Sequence, residues 1–154
     1  MTTIASNTDP IYSKASDVQG SALITTAASV VYDISGTIGT DIYKIFTADA
    51  TNGGFVQRIR LKYAGNSTTT SNAAVMKIWL STVSSGTPTI GTQAWFLDEI
   101  ALPATGTLTT TATNAVYDIP LNFALKAGQH LLAKITVSQP ANFGWMAVVI
   151  GGAY

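Results

Sequence analysis

The chain has 154 residues, 47% of them hydrophobic and only 10% charged, with eight basic and eight acidic residues cancelling to zero net charge. That length suits one domain with a core of its own, and the apolar content excludes a disordered chain. Balanced charge is a poor profile for tracking a phosphate backbone, so no nucleic acid is expected as a partner, and the absence of cysteine removes disulfides and thiolate metal sites. Low charge with high apolar content also implies that part of the surface is covered by another protein rather than by water.

Residues 1–20 are polar, unpatterned and interrupted by Pro10, and are expected to form an extended N-terminal arm, leaving residues 21–154 as a single domain. The first residues carry no basic or apolar stretch of the signal-peptide kind. No apolar run reaches the ~18 residues of a membrane span, so no membrane is expected either. Residues 22–26 and 29–34 read as a first strand pair before the Ser35-Gly36 turn. In residues 41–47, Ile42, Lys44 and Phe46 alternate with Tyr43, Ile45 and Thr47. Asn52-Gly53-Gly54 is a sharp turn.

Residues 55–64 give the clearest strand. Phe55, Ile59, Leu61 and Tyr63 point one way, with Gln57 the polar exception, and Val56, Arg58, Arg60 and Lys62 point the other. Residues 74–80 repeat the pattern, with Ala74, Met76, Ile78 and Leu80 on one face and Val75, Lys77 and Trp79 on the other. Residues 93–102 form the next strand. The threonine-rich residues 105–113 are expected to pair at an edge. Pro120 makes residues 116–123 an edge or bulged strand, because proline has no N–H for a ladder. Residues 130–138 and 143–150 close the chain. Short strands, turn residues between them and no 3.6-residue stripe predict an all-β fold: an antiparallel two-sheet β-sandwich, jelly-roll-like if it has eight strands.

Catalytic signals are sparse. His130 is the single histidine, no Gly-x-Ser-x-Gly elbow exists, and His130 reads as a hydrogen-bonded residue at a strand start. Asp98 and Glu99 are adjacent, so in a strand they face opposite ways and cannot act as a glycosidase pair. One is expected in solvent or a subunit contact, the other beside Arg58, Arg60 or Lys62. No phosphate loop or metal-ligand spacing appears, so no enzyme, cofactor or metal is expected. Asn66-Ser67-Thr68 matches a glycosylation acceptor, which without a signal peptide reads as coincidence.

Arg58, Arg60 and Lys62 stand about 7 Å apart along one face. They would contact an acidic partner surface or phosphates, or keep a solvated strand from edge pairing. Trp95 and Trp145 sit in dense apolar strands and read as core or interface anchors. Trp79 reads as the more exposed, a stacking platform if a sugar is bound.

The Asn-Gly-Gly turn into a basic strand, Phe96-Leu-Asp-Glu-Ile-Ala-Leu-Pro103, Ile119-Pro-Leu-Asn-Phe-Ala-Leu-Lys-Ala-Gly-Gln-His-Leu-Leu132 and the terminal Gly-Gly-Ala-Tyr154 together resemble small structural proteins of tailed bacteriophages, over residues 43–154. Proteins of that kind commonly end in Gly-Gly-Asp-Tyr, and Ala153 departs from this. The resemblance implies a capsid cement, or decoration, protein. It would be a sandwich on the head surface, often a homotrimer, that bridges major capsid subunits and is assembled in the host cytoplasm. Arg58, Arg60, Lys62, Trp79 and Tyr154 are the candidate contact residues. A tail, neck or fibre-associated role and a carbohydrate-binding module are the alternatives.

Overall fold

The computed structural model describes residues 15–27, 34–65, 68–109, 111 and 114–154. Eight strands account for the regular structure, and no helix occurs among the described residues. They are β1 (Ala15–Gly20), β2 (Tyr43–Thr47), β3 (Gly54–Ala64), β4 (Ala74–Ser81), β5 (Ala94–Leu102), β6 (Val116–Leu125), β7 (His130–Ile135) and β8 (Gly144–Ala153). They form two four-stranded sheets, β1-β8-β3-β6 and β2-β7-β4-β5, in which every pairing is antiparallel. The chain changes sheet at every connection except the β4–β5 hairpin.

The core lies between the sheets. Ile59, Leu61 and Tyr63 of β3 and Trp145, Ala147 and Val149 of β8 meet Met76 and Ile78 of β4 and Leu131, Ala133 and Ile135 of β7. Alternation places these residues inward, as a half-buried strand requires. Alternation fails at three bulges, each of which inserts one residue and turns the next to the opposite face. Ile45 is the extra residue of β2, so Phe46 joins Tyr43 and Ile45 in the core. Gln57 is the extra residue of β3, and Val56 therefore points into the core in place of Phe55, opposite to the alternation expected from sequence. Leu97 is the extra residue of β5.

Three further elements differ from their expectation. Ala15–Gly20, expected as the end of an arm, is an edge strand paired with β8. Residues 1–14 of that arm lie outside the described residues. Residues 22–26 form no strand beyond an isolated bridge between Ile24 and Trp145, and most of their expected partner, 29–34, is outside the described residues. Residues 105–109 are not a strand; Thr105 instead donates its N–H to Ser71 Oγ at 2.7 Å. Pro120 does lie on an edge strand, beside the irregularity where Asn122 takes φ 52°.

The second sheet is covered on both faces. Ile34, Ile38 and Ile42 pass over its outer side and pack on Trp79, Ala94 and Leu132. Every residue of β7 is consequently buried, including Lys134, whose Nζ donates to Ser35 O at 3.3 Å. Polar clasps close the flank where β1 and β2 lie. The Gln19 amide donates to Thr47 O and accepts from Thr47 N–H, both at 2.8 Å, so one side chain acts as a strand partner for β2 across the sheets. Removing that amide would leave two backbone groups short of partners, at about 1–3 kcal/mol for each that stays buried. The Tyr43 hydroxyl accepts N–H bonds from Thr25 and Thr26 at 3.1 and 3.0 Å. Burial raises its pKa, but these donors outweigh it and the hydroxyl titrates below its ordinary value. At the Asn52-Gly53-Gly54 turn, Asp49 Oδ1 accepts from the N–H groups of Thr51 and Asn52, and Gly53 adopts φ 80° against Leu125 O, where a side chain has no room.

Candidate interaction surfaces

The outer face of the first sheet has no covering segment among the described residues. Its residues fall in three rows across the strands. Val18, Ile150, Arg58 and Pro120 are neighbours in the first; Val148, Arg60 and Asp118 in the second; Met146, Lys62 and Val116 in the third. The expected cation row thus runs down the middle of a sheet face, flanked by apolar residues except where Asp118 stands beside Arg60. Val18 is 60% exposed, Val116 47% and Met146 42%. Because β3 lies between β8 and β6, the cations do not guard an edge.

The three cations are not equivalent. Arg60 makes a two-pronged contact with Asp118, Nε to Oδ1 and Nη2 to Oδ2, both at 2.9 Å. The hydrogen bonds and charge of this pair hold the Asp118 carboxyl below the usual range. Arg58 has a buried Nε without a hydrogen-bond acceptor, and Lys62 is exposed. Neither has an ion-pair partner among the described residues. The acid expected beside this row does not come from β5. Glu99 instead reaches Lys77, Oε2 to Nζ at 3.4 Å, and that ammonium lies 5.5 Å from the centre of the Phe96 ring.

Trp79 does not belong to any open surface. It is 3% exposed, under residues 34–42, with its ring edge-on to Phe96 at 5.1 Å, so it cannot serve as a stacking platform. Alternation placed it correctly on the face opposite Met76 and Ile78; what sequence spacing missed is the segment that returns over that face. Tyr154 is half-buried and its N–H lies 3.5 Å from Gly53 O, at the end of β8 remote from Lys62. Trp145 is a core residue, whereas Trp95 is exposed. Asn66 and Ser67 of the glycosylation triplet lie outside the described residues.

A second surface runs along β5, the terminal strand of the second sheet. Trp95, Phe96 and Leu97 are all exposed, Phe96 at 48%, and Ile90 stands exposed in the preceding loop, bridged to Ala94. Sequence reasoning left Trp95 as either a core or an interface anchor, and its exposure excludes the core. The signal was present in the three consecutive apolar residues followed by Asp98-Glu99, a run that breaks the in-out period of a half-buried strand.

His130 is buried, and its Nδ1 lies 3.1 Å from Thr47 Oγ1. Burial lowers its pKa, with Lys44 as the nearby charge acting in the same sense. An ammonium neighbour and a threonine partner hold a neutral ring but do not form a hydrolytic relay, which needs a carboxylate behind the imidazole. The lowered folded-state pKa means that the unfolded chain binds the proton more tightly. The resulting stability is complete above the unfolded value near 6.5 and is lost as pH falls through the folded value. Urea midpoints measured from about pH 7.5 to about pH 5 should decline for the wild type and decline less for His130→Gln; equal slopes would exclude His130 as the cause. Asp49 and Asp118, both held low by hydrogen bonds, titrate below this window.

Among the described residues no group of three or more His, Asp or Glu side chains is placed to hold a metal ion, and no helix is long and apolar enough to cross a membrane. Comparison with known protein families and with curated proteins gives no significant match.

Proposed function

We propose that this chain is a structural subunit of a tailed-bacteriophage virion, a capsid cement protein that binds the head surface and bridges major capsid subunits. The observation that carries the assembly part of this reading is the outer face of the first sheet. Val18, Val116 and Met146 are exposed there around a line of cations on a chain with little charge elsewhere. A sheet face of this composition gains free energy from being covered by another protein. The phage identity rests on the turn and strand motifs named above. The strand orders β1-β8-β3-β6 and β2-β7-β4-β5, with sheet changes at nearly every connection, support a jelly-roll winding.

The role is mechanical and non-catalytic: many identical copies, each burying apolar area, sum to a stable shell. Homotrimers at the head surface, assembled in the host cytoplasm, are the form the resemblance implies. Reconstitution tests the reading. Purified protein should coat heads that lack it and raise their resistance to heat. Binding to tails but not heads would move the chain to a tail or fibre role. No affinity for any virion part would overturn the phage reading.

A further inference from the structure

We propose that the two exposed apolar surfaces are partners for each other in different copies, the β5 edge of one chain docking on the outer face of the first sheet of the next. This rests on the reading above only in that copies associate, and capsid binding can fail while it stands. Apolar exposure is concentrated in these two places. Val18, Val116 and Met146 are on the face; Ile90, Trp95, Phe96 and Leu97 are at the edge; among the described residues Val137 is the one other exposed large hydrophobic residue. Their charges are opposite in sign. The face carries three cations against Asp118, which is hydrogen-bonded to Arg60 and also feels the charge of Arg58, so positive charge remains in excess there. The edge carries Asp98 and Glu99 directly beside its apolar run. Among the described residues the Asp98 carboxylate accepts the N–H of Glu99, at 2.8 Å, and has no ion-pair partner, and Glu99 already serves Lys77.

Like-with-like association is disfavoured. Two sheet faces stacked together would bring the cation rows onto each other, and two β5 edges in register at Asp98-Glu99 would oppose acids. Face against edge pairs cations with acids and apolar side chains with apolar side chains. Within one chain the two surfaces cannot meet, because the outer face of the first sheet points away from the sheet that contains β5. The contact therefore joins different copies and is heterologous, so it builds closed rings or chains rather than two-fold dimers.

Light scattering and sedimentation of the full chain test this with two variants. One replaces the face cations, Arg58→Glu with Lys62→Glu; the other charges the edge, Phe96→Asp with Leu97→Asp. The wild type should form species larger than a dimer that dissociate as salt is raised. Each variant should be monomeric, and an equal mixture should form a two-chain complex that grows no further, because one intact face meets one intact edge. A wild type that stays monomeric, either variant assembling alone, or a mixture that does not associate would overturn the proposal. Circular dichroism and urea midpoints establish that the variants fold. If one does not, Lys62→Ala and Asp98→Asn replace them, and each should weaken association by up to about five-fold, the worth of an exposed ion pair; an unchanged association constant in both would count against the contact. Heads coated by a wild type that is monomeric at every concentration would spare the proposed function and sink this inference. Self-association without affinity for heads would do the reverse.

Discussion

Trp145→Ala should cost about 3–5 kcal/mol of folding stability, the range for removing a large aromatic side chain from a closed core. Trp145 is fully buried, with Tyr63 at 5.5 Å and Tyr117 at 5.7 Å between ring centres. Its backbone exchanges two hydrogen bonds with Ile24, at 2.8 and 3.0 Å, so the segment before the second sheet is anchored at the same residue. Two tyrosine rings cannot collapse into the space of an indole, so most of the cavity would persist. Domains of this size are stable by only about 5–15 kcal/mol, so the loss is a large share of the total. Trp145→Phe should cost much less, because the indole Nε1 is buried without an acceptor and its removal takes away a desolvated donor. Urea unfolding followed by circular dichroism separates the two. Similar midpoints for the Ala and Phe variants would show that the site relaxes around either side chain.

Gly151→Val should be the second most damaging change, at about 3 kcal/mol, the upper part of the range for overfilling a packed site. A Cβ at Gly151 would stand 2.2 Å from Phe55 O and 3.3 Å from Val56 Cα. Both are backbone atoms, so no side-chain rotation relieves the clash; β3 and β8 must separate. The close approach lies where Val56 faces Gly151, beside the bulge at Gln57. Gly20→Ala in the same sheet is the control, with no atom within 4 Å of its added Cβ, and should be near neutral. Equal urea midpoints for Gly151→Val and Gly20→Ala would refute the close approach.

These two sites show where sequence reasoning reached and where it stopped. The strand of Trp145 and the terminal Gly-Gly were both visible in the sequence, but the reason for Gly151 was not, because the close approach of two backbones leaves no mark in hydrophobic periodicity. The same holds for Phe46 and Val56, each turned inward by one inserted residue. The cation row was legible because residues 58–62 run without a bulge. β1 was not, since its single large apolar residue, Val18, points outward and its inward Gln19 is recognised only through Thr47, 28 positions away. For Trp79 the facing was right and the burial was not, because local alternation says nothing of a distant segment folding back. For Trp95 on β5 the choice between core and interface stayed open in the sequence, because strand order alone decides which strand is terminal.

The placement of β8 has a consequence for how the domain is made. The last strand in the chain is an inner strand of the first sheet, with β1 on one side and β3 on the other. During synthesis β1 has no neighbour, and β3 lacks one of its two, until residues 144–153 have emerged. Closing a loop of that length is slow, because the entropy of ordering the chain is spent before the pairing that offsets it. The partner of β1 and the second partner of β3 are thus supplied last of the eight strands, and the β3 edge that β8 covers stays open to neighbouring chains until then.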